Sequence, residues 1–168
     1  MSTSSVFRAA VTLVGLAVCS CTPAAADPCR VERVGDGDSF SCSDGRRVRL
    51  IGMDTPELAQ GSIGTAARDA LRRLLPRGGS VRLEYDVAAR DRYGRVLAYV
   101  WSGNRLVNEV MVREGWALLY TVPPNVRYVR RLERAQREAR RAGAGLWKRG
   151  GFDCPPADFR RGRCRGSG

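Results

Sequence analysis

Downstream of residue 26 the chain alternates apolar and polar positions in short runs, punctuated by glycine, proline and asparagine. Val31–Val34 and Ser39–Cys42 flank Gly35-Asp36-Gly37-Asp38, a composition that predicts two strands joined by a tight turn. Ser43-Asp44-Gly45 is a second turn, and Arg47–Ile51 a third strand, with Val48 and Leu50 alternating against Arg47 and Arg49. The period becomes helical over Ser62–Leu75. Ile63, Ala66, Ala67, Ala70, Leu71 and Leu74 share one face there, Ser62 is placed to cap the start, and Pro76 with Gly78-Gly79 stops it. Val81, Leu83, Tyr85 and Val87 alternate with Arg82, Glu84 and Asp86 as a half-buried strand, and Arg95–Trp101 predicts another. Val107, Val110 and Met111 mark a short helix ending near Gly115, and Ala117–Tyr120 a last short strand. Asn125 is placed to cap a helix to about Arg141, with Tyr128, Leu132, Ala135, Ala139 and Ala142 on one face and Gly143 as its stop.

The order is about five short strands, a helix after the third and two helices toward the end. Most connections are too short for parallel crossovers, which favours a small barrel. The expected class is α+β, mainly β: a five-stranded OB-fold barrel with three packed helices. That fold often binds nucleic acid but does not settle function.

Residues 1–26 stand apart from this domain. Arg8 precedes an apolar run from Ala9 to Val18, and small residues lead to Ala24-Ala25-Ala26, the shape of a secretory signal peptide. The run is too short for a comfortable membrane span, so no transmembrane segment is expected once it is removed. A secreted or periplasmic protein follows. The alternative is a lipid anchor at the cell envelope through Cys19 or Cys21. The domain is expected over residues 27–149. Residues 150–168, rich in arginine, glycine and proline, form a C-terminal tail.

Composition sharpens the chemistry. The formal charge is +12, and loss of residues 1–26 removes one arginine and no acid, leaving +11. A basic exported domain suggests an anionic partner such as nucleic acid, acidic polysaccharide or anionic lipid; solubility alone is the bland reading. Four cysteines remain, Cys29, Cys42, Cys154 and Cys164. An even count in an exported chain reads as disulfides. Of the three possible pairings the sequential one is expected, and a zinc site is the weaker reading because no C-x-x-C spacing occurs. The chain has no histidine, which excludes an imidazole base, nucleophile or ligand. A metal would be held mainly by oxygen, favouring Ca²⁺, Mg²⁺ or Mn²⁺.

Asp38, Asp54 and Glu57 stand at predicted strand ends, with Arg49 inside the third strand and Arg95 just after a turn. Each has a plain structural reading. Asp36 and Asp38 serve a tight turn, Asp54 and Thr55 an Asx-type turn before Pro56, and the arginines a solvated strand face. Together they describe more. Asp38, Asp54 and the Thr55 carbonyl offer a hard cation its oxygens, and Glu57 lies one step further, placed to hold a water. Arg49 and Arg95 suit the oxygens of a phosphate, because a guanidinium fork binds two at once and stays charged. Phosphodiester hydrolysis needs this set.

The segments VGDGDSF, VRLIGMDTPE, DRYGRVLAYV, GNRLVNEVMVREGWA and AQREAR…GLW resemble the thermonuclease family, the staphylococcal-nuclease-like secreted nucleases, across roughly residues 30–149. The resemblance implies an OB-fold and Ca²⁺-dependent endonucleolytic cleavage of DNA and RNA, single strands preferred, breaking P–O5′ and leaving 3′-phosphates. Residue by residue it implies Asp38 and Asp54 as calcium ligands, Thr55 as a backbone-carbonyl ligand, Glu57 as the catalytic glutamate, and Arg49 and Arg95 as the catalytic arginines. Tyr93 and Arg92 match phosphate-contacting positions, the latter a lysine in the family. Tyr120 matches a base-stacking tyrosine across a gap. The Leu58–Gly64 segment is shorter than the lysine-rich loop of the best-studied member, and Ser39 stands where threonine is common. The cysteines and tail lie outside the motif. A monomer is expected.

Two other classes compete with the enzyme. A non-catalytic binding module on the same barrel would need the basic surface but not three acids, which repel phosphate without a metal. A cationic envelope-binding protein would need only the arginines and disulfides.

Overall fold

A computed structural model describes residues 27–164; the signal-peptide and lipid-anchor expectations fall outside the described residues. Asp27–Val34 (β1), Ser39–Cys42 (β2), Arg47–Leu50 (β3), Ser80–Glu84 (β5) and Val96–Ser102 (β6) form the barrel. The first four pairs along it are antiparallel. β3 then meets β6 in parallel, Val48 opposite Val96 and Leu50 opposite Ala98, and this pair closes the cylinder. Closure leaves none of the five barrel strands as a bare edge. The inward residues are those the alternation marks: Val31, Val34, Phe40, Val48, Leu50, Val81, Leu83, Val96, Ala98 and Val100 are all buried. The Cys29–Cys42 disulfide staples β1 to β2 across a separation of 13 residues, worth about 3 kcal/mol in the chain-entropy account. The second disulfide, Cys154–Cys164, closes the tail.

Two additions to the barrel were not predicted. The third strand does not run to Ile51. The chain bends at Gly52, φ +77°, and continues as Gly52–Asp54 (β4), which pairs antiparallel with Leu118–Tyr120 (β8). The positive φ favours glycine at Gly52, and a Cβ there would also lie 2.6 Å from Leu132 Cδ1, so a larger residue would have to displace that side chain. Arg105–Leu106 (β7) adds a short hairpin to β6.

Three helices cover the barrel: Ser62–Leu74 (α1), Val107–Arg113 (α2) and Val129–Ala142 (α3). They bury Ala67, Ala70 and Leu71; Val107, Met111 and Val112; and Leu132, Ala135 and Ala139. The Asn108 side chain is fully buried on α2. It donates to Ile51 O at 2.8 Å and accepts from Val100 N at 2.8 Å, tying the bend before β4 to the barrel wall. Glu109, also buried, is paired with Arg113 and Arg131, which clamps α2 to α3. No helix among the described residues is long and apolar enough to cross a membrane.

Two predicted caps are corrected. Ser62 is the first helical residue of α1, and Gly61 stands at its N-cap with no side-chain capping bond. Asn125 caps nothing: its side chain accepts from Ala88 N at 2.8 Å and donates to Ala88 O at 2.9 Å, and α3 begins four residues later. Asparagine completes a backbone-like pair across two loops here, a role as favourable to it as an N-cap. The strand expected to reach Val87 stops at Glu84, where the side chain is drawn into a cluster instead.

Glu84 Oε2 accepts from Trp101 Nε1 at 2.6 Å, and Oε1 accepts from Tyr128 Oη and Arg127 Nη1, both at 2.9 Å. Burial pushes this carboxyl up, but the hydrogen bonds from Arg127, Tyr128 and Trp101 outweigh it and hold it below its ordinary range. A carboxyl lowered on folding binds fewer protons in the native state. Its stabilisation is full above its unfolded pKa of about 4.3 and is lost as pH falls. Glu84→Gln is therefore expected to flatten the acid limb of a urea-midpoint series below about pH 4.3; an acid limb parallel to the parent's would contradict the assignment. A second prediction concerns the turn before β2. A Cβ on Gly37 would meet Thr55 Oγ1 at 2.5 Å and Ala67 Cβ at 3.0 Å, whereas one on Gly35 would first meet Ser39 Oγ at 3.6 Å. Gly37→Ala is expected to cost about 1–3 kcal/mol of unfolding free energy by overpacking. Gly35→Ala serves as the tolerated control in the same denaturation experiment.

Candidate active site

The closing pair of strands sets the geometry. Arg49 lies in β3 opposite Ser39 of β2 on one side and Leu97 of β6 on the other, so its side chain emerges where the Gly35–Asp38 turn, the Gly52 bend and β4 converge. Its guanidinium is tightly held. Nη1 donates to Leu50 O at 2.7 Å and Nη2 to Met53 O at 3.2 Å. Nη2 also sits 3.1 Å from Asp38 Oδ2 and 3.1 Å from Asp54 Oδ1. One nitrogen thus bridges two carboxylates from separate segments.

Both carboxylates are withdrawn from solvent. The Asp38 backbone N–H donates to Asp36 Oδ1 at 3.1 Å, which fixes the turn. Its own Oδ2 accepts from Thr55 Oγ1 at 3.1 Å and Thr55 N at 3.3 Å. Burial pushes the Asp38 carboxyl up to about 7, against the pull of Arg49 and with a further push from Asp36 and Asp54. A cation bound here would offset the repulsion among the acids and favour the ionised form of Asp38. Among the described residues no three His, Cys, Asp or Glu side chains form a metal cage on their own. The donor set that fits a hard ion is two carboxylates, Asp38 and Asp54, with backbone carbonyl and water.

A groove of about 650 Å³ opens over this cluster, lined by Asp38, Arg49, Glu57, Arg92, Tyr93, Arg95 and Tyr120. Seven of the nine residues singled out from the sequence for catalysis, metal or substrate meet there. Asp54 and Thr55 do not line it; each is 2 % exposed and lies beneath. Arg95 comes off the start of β6, and its Nε donates to Asp91 Oδ2 at 2.7 Å, which leaves its terminal nitrogens for an anion. Tyr93 and Tyr120 are 59 % and 40 % exposed, as rings awaiting a partner would be. Arg92 lies over the Tyr93 ring, 4.8 Å from its centroid.

Three contributors escaped the sequence reading. Asp91 orients Arg95. Gln60 accepts from Glu57 N at 2.9 Å and donates to Cys154 O at 3.1 Å. Arg160, on a short tail helix Pro156–Arg160 (α4), binds Asp54 and Glu57 directly. The DRYGR turn could have marked Asp91. No local pattern singles out Arg160 among the tail arginines.

The family described as staphylococcal nuclease homologue matches residues 47–149, from the start of β3 to beyond the end of α3. The chain is 42 % identical over 127 residues to the thermonuclease of Staphylococcus intermedius, covering 71 % of this chain and 75 % of that protein. It is 40 % identical over 126 residues to the thermonuclease of Staphylococcus hyicus, covering 70 % and 74 %. With endonuclease YncB of Bacillus subtilis (strain 168) the identity is 31 % over 131 residues, covering 73 % and 62 %. The chain belongs to the staphylococcal nuclease family.

Proposed function

We propose that this protein is an exported, calcium-dependent endonuclease that hydrolyses DNA and RNA, single strands in preference, and leaves 3′-phosphate ends. The broader part follows from the family: the protein is a nuclease, a hydrolase acting on the phosphodiester bonds of nucleic acids. The observation that carries the finer part is the pairing of two buried carboxylates on one Arg49 nitrogen, next to Glu57, in a groove rimmed by arginine and tyrosine.

Asp38, Asp54 and the Thr55 carbonyl would hold the cation, which supplies positive charge to polarise the phosphate. Glu57, 36 % exposed at its side chain, is the carboxylate with access to both groove and solvent. It orients a water and takes its proton as the oxygen attacks phosphorus, while the P–O5′ bond breaks and the departing O5′ takes a proton from solvent. Arg49, fixed by two backbone carbonyls, keeps its charge aimed at the same place and needs no rearrangement as charge grows on the phosphoryl oxygens. Arg95, just before the start of the neighbouring strand β6, meets those oxygens from the same rim. Arg92 and Tyr93 bind the neighbouring phosphate, and Tyr120 stacks on a base, a contact tolerant of sequence. The two disulfides and the residue 1–26 segment fit export to an oxidising compartment, followed by a domain over 27–149 and a tail over 150–168.

The test is degradation of single-stranded DNA by the oxidised protein, with Ca²⁺ and with excess chelator, alongside Glu57→Gln. Cleavage is expected to stop in chelator, to fall about 10²- to 10⁴-fold in the variant, and to yield 3′-phosphate ends resistant to 3′ extension until dephosphorylated. Tight DNA binding without cleavage under any divalent cation would instead support the binding-module reading.

A further inference from the structure

The tail after α3 is built to reach the site. Gly145–Arg149 forms a 3₁₀ turn, and the Trp147 and Phe152 rings pack at 4.7 Å with Phe152 buried. The Cys154–Cys164 disulfide then closes a loop around α4, whose Pro156 is buried, and Gln60 anchors the loop through Cys154 O. This scaffold presents one side chain to the acids. Arg160 Nη1 and Nη2 meet Asp54 Oδ1 and Oδ2 at 3.1 and 2.7 Å, a two-point fork, and Nη1 also reaches Glu57 Oε1 at 2.7 Å. The Asp54 side chain is only 3 % exposed. Its Oδ2 has this guanidinium as its partner, and its Oδ1 is shared between Arg160 and Arg49.

We infer that Arg160 is a positioning residue of the active site that stands in for the cation: it holds Asp54 and Glu57 in the metal-free protein and yields Asp54 when a divalent cation binds. This rests on the proposed reading of Asp38 and Asp54 as the cation's carboxylates. A buried carboxylate that stays ionised is costly to leave without a positive partner. A guanidinium using both of its terminal nitrogens on Asp54 competes for the same two oxygens that a hard ion requires. Apparent cation affinity is then the intrinsic affinity multiplied by the fraction of protein in which Asp54 is free of Arg160. Nearby Arg163 faces Asp158 of the tail itself, at 3.8 Å, so the seat on Asp54 belongs to Arg160 specifically.

The deciding experiment is calorimetric titration of Ca²⁺, without nucleic acid, into the oxidised protein and into Arg160→Gln and Arg160→Lys. Arg160→Gln is expected to tighten Ca²⁺ binding about tenfold or more, and Arg160→Lys, which keeps the charge but not the fork, by less. A merely structural role has the opposite sign, since a loosened site binds the cation more weakly. Unchanged or weaker binding in Arg160→Gln would therefore overturn the exchange while leaving the cation site standing. Absence of Ca²⁺ binding in both the parent and Arg160→Gln would remove the cation site itself, and the exchange with it. Circular dichroism of the three proteins verifies that each is folded before titration.

Discussion

Two carboxylates taken out of water within reach of one guanidinium nitrogen are the constraint around which this molecule is arranged. Asp38 and Asp54 come from different segments, and each is costly to bury while charged. Arg49 makes the arrangement tenable, 3.1 Å from both. It is itself made rigid by the carbonyls of Leu50 and Met53. Burial is the main push that takes Asp38 up to about 7, and the Arg49 charge offsets it only in part. A second positive group, Arg160, is paired with Asp54 and with the neighbouring Glu57.

The barrel supplies the convergence. Because β3 pairs in parallel with β6, the ends of both strands lie at the same rim, and Arg49 and Arg95 face one groove although they are far apart in sequence. The bend at Gly52 then turns the chain so that β4 carries Asp54 inward against β8, whose partner for Gly52 is Tyr120. Asn108 secures that bend from below. The residues proposed for metal, phosphate and base are thus positioned by strand closure and one glycine, together with the Gly35–Asp38 turn, the Thr55–Glu57 segment and the Asp91–Gly94 turn.

Much of this was legible in the sequence because the period-two alternation of Val48 and Leu50 or Val81 and Leu83 is the direct imprint of a barrel interior. The acids were legible because charged residues at the ends of apolar strands have few structural uses in combination. Other features left no local trace. The bend at Gly52 hides inside a run that reads as continuous strand, and β4–β8 pairing depends on residues 64 or more positions apart in sequence. Asn125 carries an N-cap's composition but serves Ala88, a choice only the tertiary contact decides. The tail looked like an appendage because what matters in it is one arginine among several, selected by where the disulfide loop sits.

The two arginines on Asp54 differ in a way that assigns their roles. Arg49 belongs to a barrel strand, is 14 % exposed at its side chain, and is held by backbone carbonyls that no ligand can displace. Arg160 is 41 % exposed at its side chain, rides on a five-residue helix, and has only carboxylates as partners. Moving Arg49 would break the barrel rim; moving Arg160 breaks only ion pairs, which in the proposed exchange an incoming cation replaces. The desolvation cost of Asp54 is met in either state, so the exchange substitutes one positive charge for another without leaving the carboxylate bare. Under the proposed exchange, the site gains from having one fixed counter-charge and one removable one.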